Sequence, residues 1–118
     1  ASGLPDALRR PKRRYSNQLE GTHMPKGYLL ARITVTDPKT YGHYTSANGP
    51  IFDRFDARFV VRGGTVETLT GPHHDRHVVL EFPSFADAKA CLESPGYQEI
   101  AKIRAAGATV EAVIVEGV

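Results

Sequence analysis

Two charged residues, Arg62 and Glu81, stand out in this 118-residue chain because each sits in an extended, β-branched stretch where a buried charge would be out of place. Both lie near the Gly63-Gly64 break. Arg62 could hold a carboxylate or enolate oxygen through its planar fork of donors while Glu81 acts as a general base. Paired with each other, the same two residues would instead be a structural ion pair bracing a bulge. Tyr44 completes the catalytic set the sequence offers. A buried phenol near Arg62 could orient a ligand or donate a proton, or be core with its hydroxyl satisfied. His43, beside it, falls next to the apolar stripe and reads as a surface residue.

A second group is His73-His74-Asp75-Arg76-His77. Histidine and carboxylate suit zinc or iron, but adjacent histidines in a turn rarely converge on one ion and no second cluster adds ligands. No metal is expected here. Arg76 and His77, at the entrance of a strand, are better placed to line a pocket rim as ligand-binding residues. Arg104 joins them from a later helix, where it and Tyr97 could reach a cleft or a subunit seam, or simply pack at the surface. Cys91 reads as a small buried helix residue with no activating neighbour in view. Arg62-Gly63-Gly64-Thr65 lacks the spacing and the strand-to-helix context of a phosphate loop.

The elements that must position these residues follow from periodicity. Gly27 to Val35 alternates as a strand. Asp37-Pro38 supplies an N-cap and a first-turn proline, and Tyr41, Tyr44, Asn48, Ile51, Phe52 and Phe55 then recur at helical spacing. Gly49-Pro50 should kink or interrupt this helix. Ala57 to Arg62 reads as a second strand, Gly63-Gly64 as a bulge or a positive-φ site, and Thr65 to Thr70 as a continuation before the turn at Gly71-Pro72. His77 to Phe82 is the return strand of a long hairpin. Ser84 and Asp87 resemble a capping box, although Glu or Gln is the usual partner. Ser94-Pro95 restarts the second helix, Gly107 stops it, and Thr109 to Val115 is the last strand.

The order is β-α-β-β-α-β, an α+β, ferredoxin-like pattern with an antiparallel sheet and two helices on one face. Strand positions of both parities are apolar, among them Leu29, Leu30, Val60, Val61, Val78, Val79, Val113 and Val115. One helix layer covers one parity, so a second copy is expected to cover the other as a two-fold homodimer.

Charge and length narrow the function. The net charge is +2, but residues 1–23 hold five basic residues (Arg9, Arg10, Lys12, Arg13, Arg14) against Asp6 and Glu20. The remaining chain has ten Lys and Arg against eleven Asp and Glu, so it lacks a basic body suited to nucleic acid. The leader can be read as a nucleic-acid-binding arm, as a targeting peptide without an apolar region, or as an expression leader joined at Gly21-Thr22-His23-Met24. The last reading is preferred, making 24–118 the single natural domain. No run is long enough for a membrane span. A single cysteine leaves no internal disulfide and fits a reducing, cytoplasmic compartment.

Four segments in order, Arg62-Gly63-Gly64, Glu81-Phe82-Pro83-Ser84, Ser94-Pro95-Gly96-Tyr97-Gln98 and Val115-Glu116-Gly117, resemble the family named domain of unknown function 1330, in the dimeric α/β-barrel superfamily. The likeness runs from about Lys26 to Val118. The family pattern usually has two glycines before its second strand, where this chain has Asp56-Ala57. The resemblance implies a ferredoxin-like protomer whose sheet packs on its mate's to form a dimeric α/β barrel. It implies no particular reaction, since the superfamily includes cofactor-independent monooxygenases, muconolactone isomerases and haem-binding chlorite dismutases; no haem-ligand motif can be matched here. The expectation is a homodimer that binds or transforms a small metabolite without an organic cofactor, oxygenase- or isomerase-like. The alternative is a non-catalytic dimeric interaction module.

Overall fold

The computed structural model describes residues 24–118; residues 1–23, and with them the reading of the leader, lie outside the described residues. Strand β1 (Gly27–Val35) alternates as its sequence demands, burying Leu29, Ala31 and Ile33 and turning Leu30 and Arg32 outward. Helix α1 (Pro38–Arg54) follows at once. Asp37 caps it, accepting from the Thr40 amide at 3.2 Å and the Thr40 hydroxyl at 2.9 Å, and Pro38 occupies the first turn, where no amide donor is needed.

Pro50 does not interrupt α1, contrary to the expectation from Gly49-Pro50. An interior proline loses an amide donor and crowds the carbonyl four residues back, and it also crowds the Cβ of the residue before it; Gly49 removes only this last clash. After α1, Asp56 adopts φ +55°, the left-handed turn for which the family pattern carries glycine. Asp is one of the few other residues that tolerate it. The turn is tied by Ala57 N donating to Phe52 O at 3.1 Å.

Strand β2 (Arg58–Arg62) and strand β3 (Arg76–Phe82) form the hairpin, but residues 65–70 are not strand and the connection is a long loop. Gly63 and Gly64 hold φ +73° and +90°, which bends the chain out of the ladder directly after Arg62. The irregularity inside β2 lies earlier, between Phe59 and Val61, where the register shifts by one residue.

Ser84 caps α2 (Phe85–Glu93): its hydroxyl accepts from the Asp87 amide at 3.1 Å and donates to Asp87 Oδ2 at 2.9 Å. Ser94 then ends α2 and starts α3 (Pro95–Gly107), donating to Cys91 O at 2.6 Å and accepting from Tyr97 N at 3.3 Å. The restart expected at Ser94-Pro95 therefore makes three helices of the two in the simple pattern. Strand β4 (Ala108–Glu116) closes the chain.

The described residues form one four-stranded antiparallel sheet in the order β2-β3-β1-β4. Helices cover the face that carries Leu29, Ile33, Val78, Leu80 and Phe82, and the core lies in between. The opposite face is bare and apolar. Leu30 stands between Val79 and Val113 across the strands, with Val61 and Val115 beside them, and all but Val79 are counted among the exposed large side chains. No helix among the described residues is long and apolar enough to cross a membrane.

Gly27 marks the tightest contact between sheet and helix layer, because a Cβ there would strike the backbone of Ser84 and Phe85. Backbone cannot rotate away as a side chain can. Gly27→Ala should destabilise the fold by about 1–3 kcal/mol, the usual cost of overpacking, measurable as a lowered urea midpoint at unchanged slope.

Candidate functional site

Between the sheet and helices α1 and α3 lies a cavity of about 270 Å³. Its floor is apolar, from Leu29, Ala31, Ile33, Val78 and Leu80, and Phe52 and Phe59 wall one end. The polar groups are few: Arg62 and Arg76 from the hairpin, Tyr44, Thr45 and Asn48 from α1, and Tyr97, Gln98 and Arg104 from α3. No Asp, Glu, His or Lys lines it among the described residues.

Helical spacing builds the centre. Tyr44 and Tyr97, buried on facing helices, meet edge to face with their hydroxyl oxygens 2.8 Å apart. Arg104, two turns after Tyr97, donates from Nη1 to the Tyr97 hydroxyl at 3.0 Å. Asn48 is one turn after Tyr44 and reaches its hydroxyl. Burial, reinforced by the neighbouring Tyr97 hydroxyl, pushes the Tyr44 phenol far above its ordinary range, while Arg104 and Asn48 pull weakly the other way. Tyr44 is therefore a protonated hydrogen-bonding group here.

Arginines build the rim. The Arg62 guanidinium carbon lies 4.3 Å from the centroid of the Phe59 ring, and that of Arg76 lies 5.8 Å from the Tyr41 centroid. Arg76 Nη1 is 2.9 Å from the point where a Cβ on Gly63 would stand, so this glycine makes room for the guanidinium as well as for the turn. Among the described residues, neither these two nor Arg104 is paired with an Asp or Glu side chain. The Nε atoms of Arg76 and Arg104 and Oδ1 of Asn48 are buried without a partner.

Of the proposed catalytic three, the structure brings Arg62 and Tyr44 to this cavity and leaves Glu81 out. Val78 faces the helices, so Glu81, an odd number of residues along β3, points to the opposite face. There it accepts from the Tyr28 hydroxyl at 2.9 Å and from Arg58 Nε at 3.0 Å. The supposed Arg62–Glu81 pair does not form; the partner of Glu81 is Arg58. The Tyr28 hydrogen bond holds the Glu81 carboxyl below its usual range, opposed by desolvation and aided by Arg58.

The expected ligand-binding residues divide in the same way. Arg76 and Arg104 line the cavity, whereas His77, adjacent to Arg76, faces the bare side beside Leu30, Arg32 and Val79. The histidine run also separates. His73 Nδ1 is 2.8 Å from the Thr68 hydroxyl, and buried His74 has Nδ1 3.1 Å from the Thr34 hydroxyl. His74 Nε2 lies 3.0 Å from Glu111 Oε1, at ion-pair distance but out of hydrogen-bond alignment. No cluster of metal-ligating residues forms among the described residues. Burial pushes the Cys91 thiol up to about 11, against a small opposing pull from Arg54, so it is protonated at neutral pH. Sequence reading passed over Asn48 as a site residue and took it only as part of the helical stripe. An amide among aromatic positions on a buried face was the signal available.

Comparison with known proteins places this architecture. The sheet order and helix layer define a ferredoxin-like α+β protein. Residues 26–118 match the family described as Domain of unknown function (DUF1330), and the chain belongs to that family. The search of curated proteins finds no match. Among solved structures, a protein of unknown function from Rhodopseudomonas palustris is 21% identical, with TM-score 0.68 over 84% of this chain and 87% of that one. A dimeric ferredoxin-like protein of unknown function from Thermobifida fusca is 16% identical, with TM-score 0.56 over 80% and 92%. SnoaB, a cofactor-independent oxygenase from Streptomyces nogalater, is 19% identical, with TM-score 0.54 over 77% and 91%. At these identities the likeness is one of fold.

The Tyr28–Glu81–Arg58 cluster predicts an acid dependence. Glu81 has a lowered pKa in the folded state, so its contribution to stability is present above the ordinary value of 4.5 and disappears as pH falls through the lowered one. The stability gap between the wild type and Glu81→Gln should be widest at neutral pH and close in acid, as followed by denaturant unfolding at a series of pH values.

Proposed function

We propose that the protein holds a compact organic anion in the helix-side cavity and binds or transforms it without an organic cofactor, oxygenase- or isomerase-like. One observation carries this reading: three arginines without carboxylate side-chain partners among the described residues converge on a single apolar cavity. Like charges gathered beside a low-polarity floor repel one another, and an anion of matching size relieves that repulsion. The Tyr44–Tyr97 hydroxyl pair adds hydrogen-bonding groups for a developing oxyanion. With no carboxylate or imidazole on the walls among the described residues, the chemistry supported is electrostatic and hydrogen-bond stabilisation of the ligand.

SnoaB lends weight to cofactor-independent chemistry on such a scaffold, by analogy of fold. The bare sheet face supports a homodimer closing back to back, as does the dimeric state of the Thermobifida fusca relative. The lone buried cysteine fits a reducing, cytoplasmic setting, and the near-balanced charge of residues 24–118 is not that of a basic nucleic-acid-binding body. The second reading, a non-catalytic dimeric module, draws on the same bare face and assigns the cavity no ligand.

Two measurements test these readings. In a thermal-shift screen, small aromatic and aliphatic carboxylates should stabilise the wild type. Arg76→Gln should weaken binding by about 1.5–3 kcal/mol, the loss of a charge-assisted hydrogen bond, which is roughly tenfold or more in Kd. A screen with no stabilising acid favours the dimeric module. For the dimer, Val113→Glu places a charge opposite Leu30 on the bare face and should shift the tag-free protein from dimer to monomer by light scattering. A wild type that is itself monomeric at high concentration removes the dimer.

A further inference from the structure

Buried polar atoms are nearly always paired, yet the helix-side cavity gathers three that are not: Arg76 Nε, Arg104 Nε and Asn48 Oδ1. Two are donors on cations and suit an anion. Asn48 asks for something else. It lines the cavity and is only 5% exposed, and its unpartnered amide oxygen is an acceptor that a carboxylate cannot satisfy.

The tyrosines sharpen the same demand. One hydrogen bond joins the Tyr44 and Tyr97 hydroxyls and uses one of their two protons. Arg104 donates to Tyr97 and uses neither. One phenolic proton is therefore left to give, next to an amide acceptor left to fill. A hydroxyl group matches both, because it donates and accepts at one atom. Exchanging the oxygen and nitrogen of the Asn48 amide would hand the phenolic proton to Asn48 and turn an N–H to the cavity, and a hydroxyl oxygen answers that arrangement too.

The cationic end is separate. The Arg76 guanidinium lies against Gly63, the residue after Arg62, where β2 leaves the sheet, whereas Asn48 and the tyrosine pair belong to the helices. At ~30 Å³ for each water-sized group, the cavity has room for roughly nine of them, the size of a single-ring acid.

Building on the anion-binding reading above, we propose that the ligand is a compact hydroxy carboxylate. Its carboxylate sits at the Arg62–Arg76 end, and its alcohol, enol or phenol hydroxyl is held by Asn48 and the Tyr44–Tyr97 pair.

Calorimetric titration of the full chain with two matched sets tests this: 3- and 4-hydroxybenzoate against benzoate, and 3-hydroxybutanoate against butanoate. In at least one set a hydroxy acid should bind tenfold or more tighter than its parent, since the parent leaves the buried amide unpaired. That ratio should fall to near one in Tyr97→Phe and in Asn48→Leu. If Asn48→Leu does not fold, Tyr97→Phe and the wild-type ratio still decide the matter. Ratios near one in both sets for the wild type, or a ratio that Tyr97→Phe leaves intact, overturn the hydroxyl assignment while the anion reading stands. No measurable binding of any of the acids overturns both.

Discussion

Side chains on a β-strand alternate between the two faces of the sheet, and here each face has its own chemistry. The helix-covered face holds an apolar core opened by one cavity, with arginines at its rim and a tyrosine pair at its centre. The bare face carries a strip of valines and Leu30, interrupted by Tyr28–Glu81–Arg58 and by Arg32–Glu111–His74. A residue's role is settled first by its parity. Arg76 and His77 are neighbours in sequence and stand on opposite sides of a sheet.

The bulge in β2 carries this partition to the site. Phe59 faces the helices opposite Leu80, and strict alternation from it would send Val61 inward and Arg62 outward. The register shift between Phe59 and Val61 exchanges them: Val61 joins the bare face opposite Val79, and Arg62 comes to the cavity opposite Val78. Gly63 and Gly64, at positive φ, then turn the chain away and leave space for Arg76 beside Arg62. Two local backbone devices thus place Arg62 and Arg76 on the same largely apolar cavity.

The bare face makes a different demand. Its apolar strip is continuous across three strands, Val79, Leu30 and Val113, with polar clusters on either side. The cavity lies on the other side of the sheet from this strip. On the proposed readings a ligand and a second copy would use opposite faces of the sheet, so the two readings are separable by substitution.

Sequence alone determined the element order, the caps at Asp37, Ser84 and Ser94, the two-sided apolar character of the strands and the candidacy of Arg62, Tyr44, Arg76 and Arg104. These are local properties, set by hydrophobic period and by side chains that bond to their own backbone. It misplaced Glu81 and His77, passed over Asn48, and overestimated the break at Pro50, where Gly49 removes the clash with a preceding Cβ. Which charged residues meet was decided only by tertiary structure, since a one-residue slip in pairing moves a side chain through the sheet. No composition or motif records that slip. It is fixed by how β2 must lie against β3 for Phe59 and Leu80 to share the core.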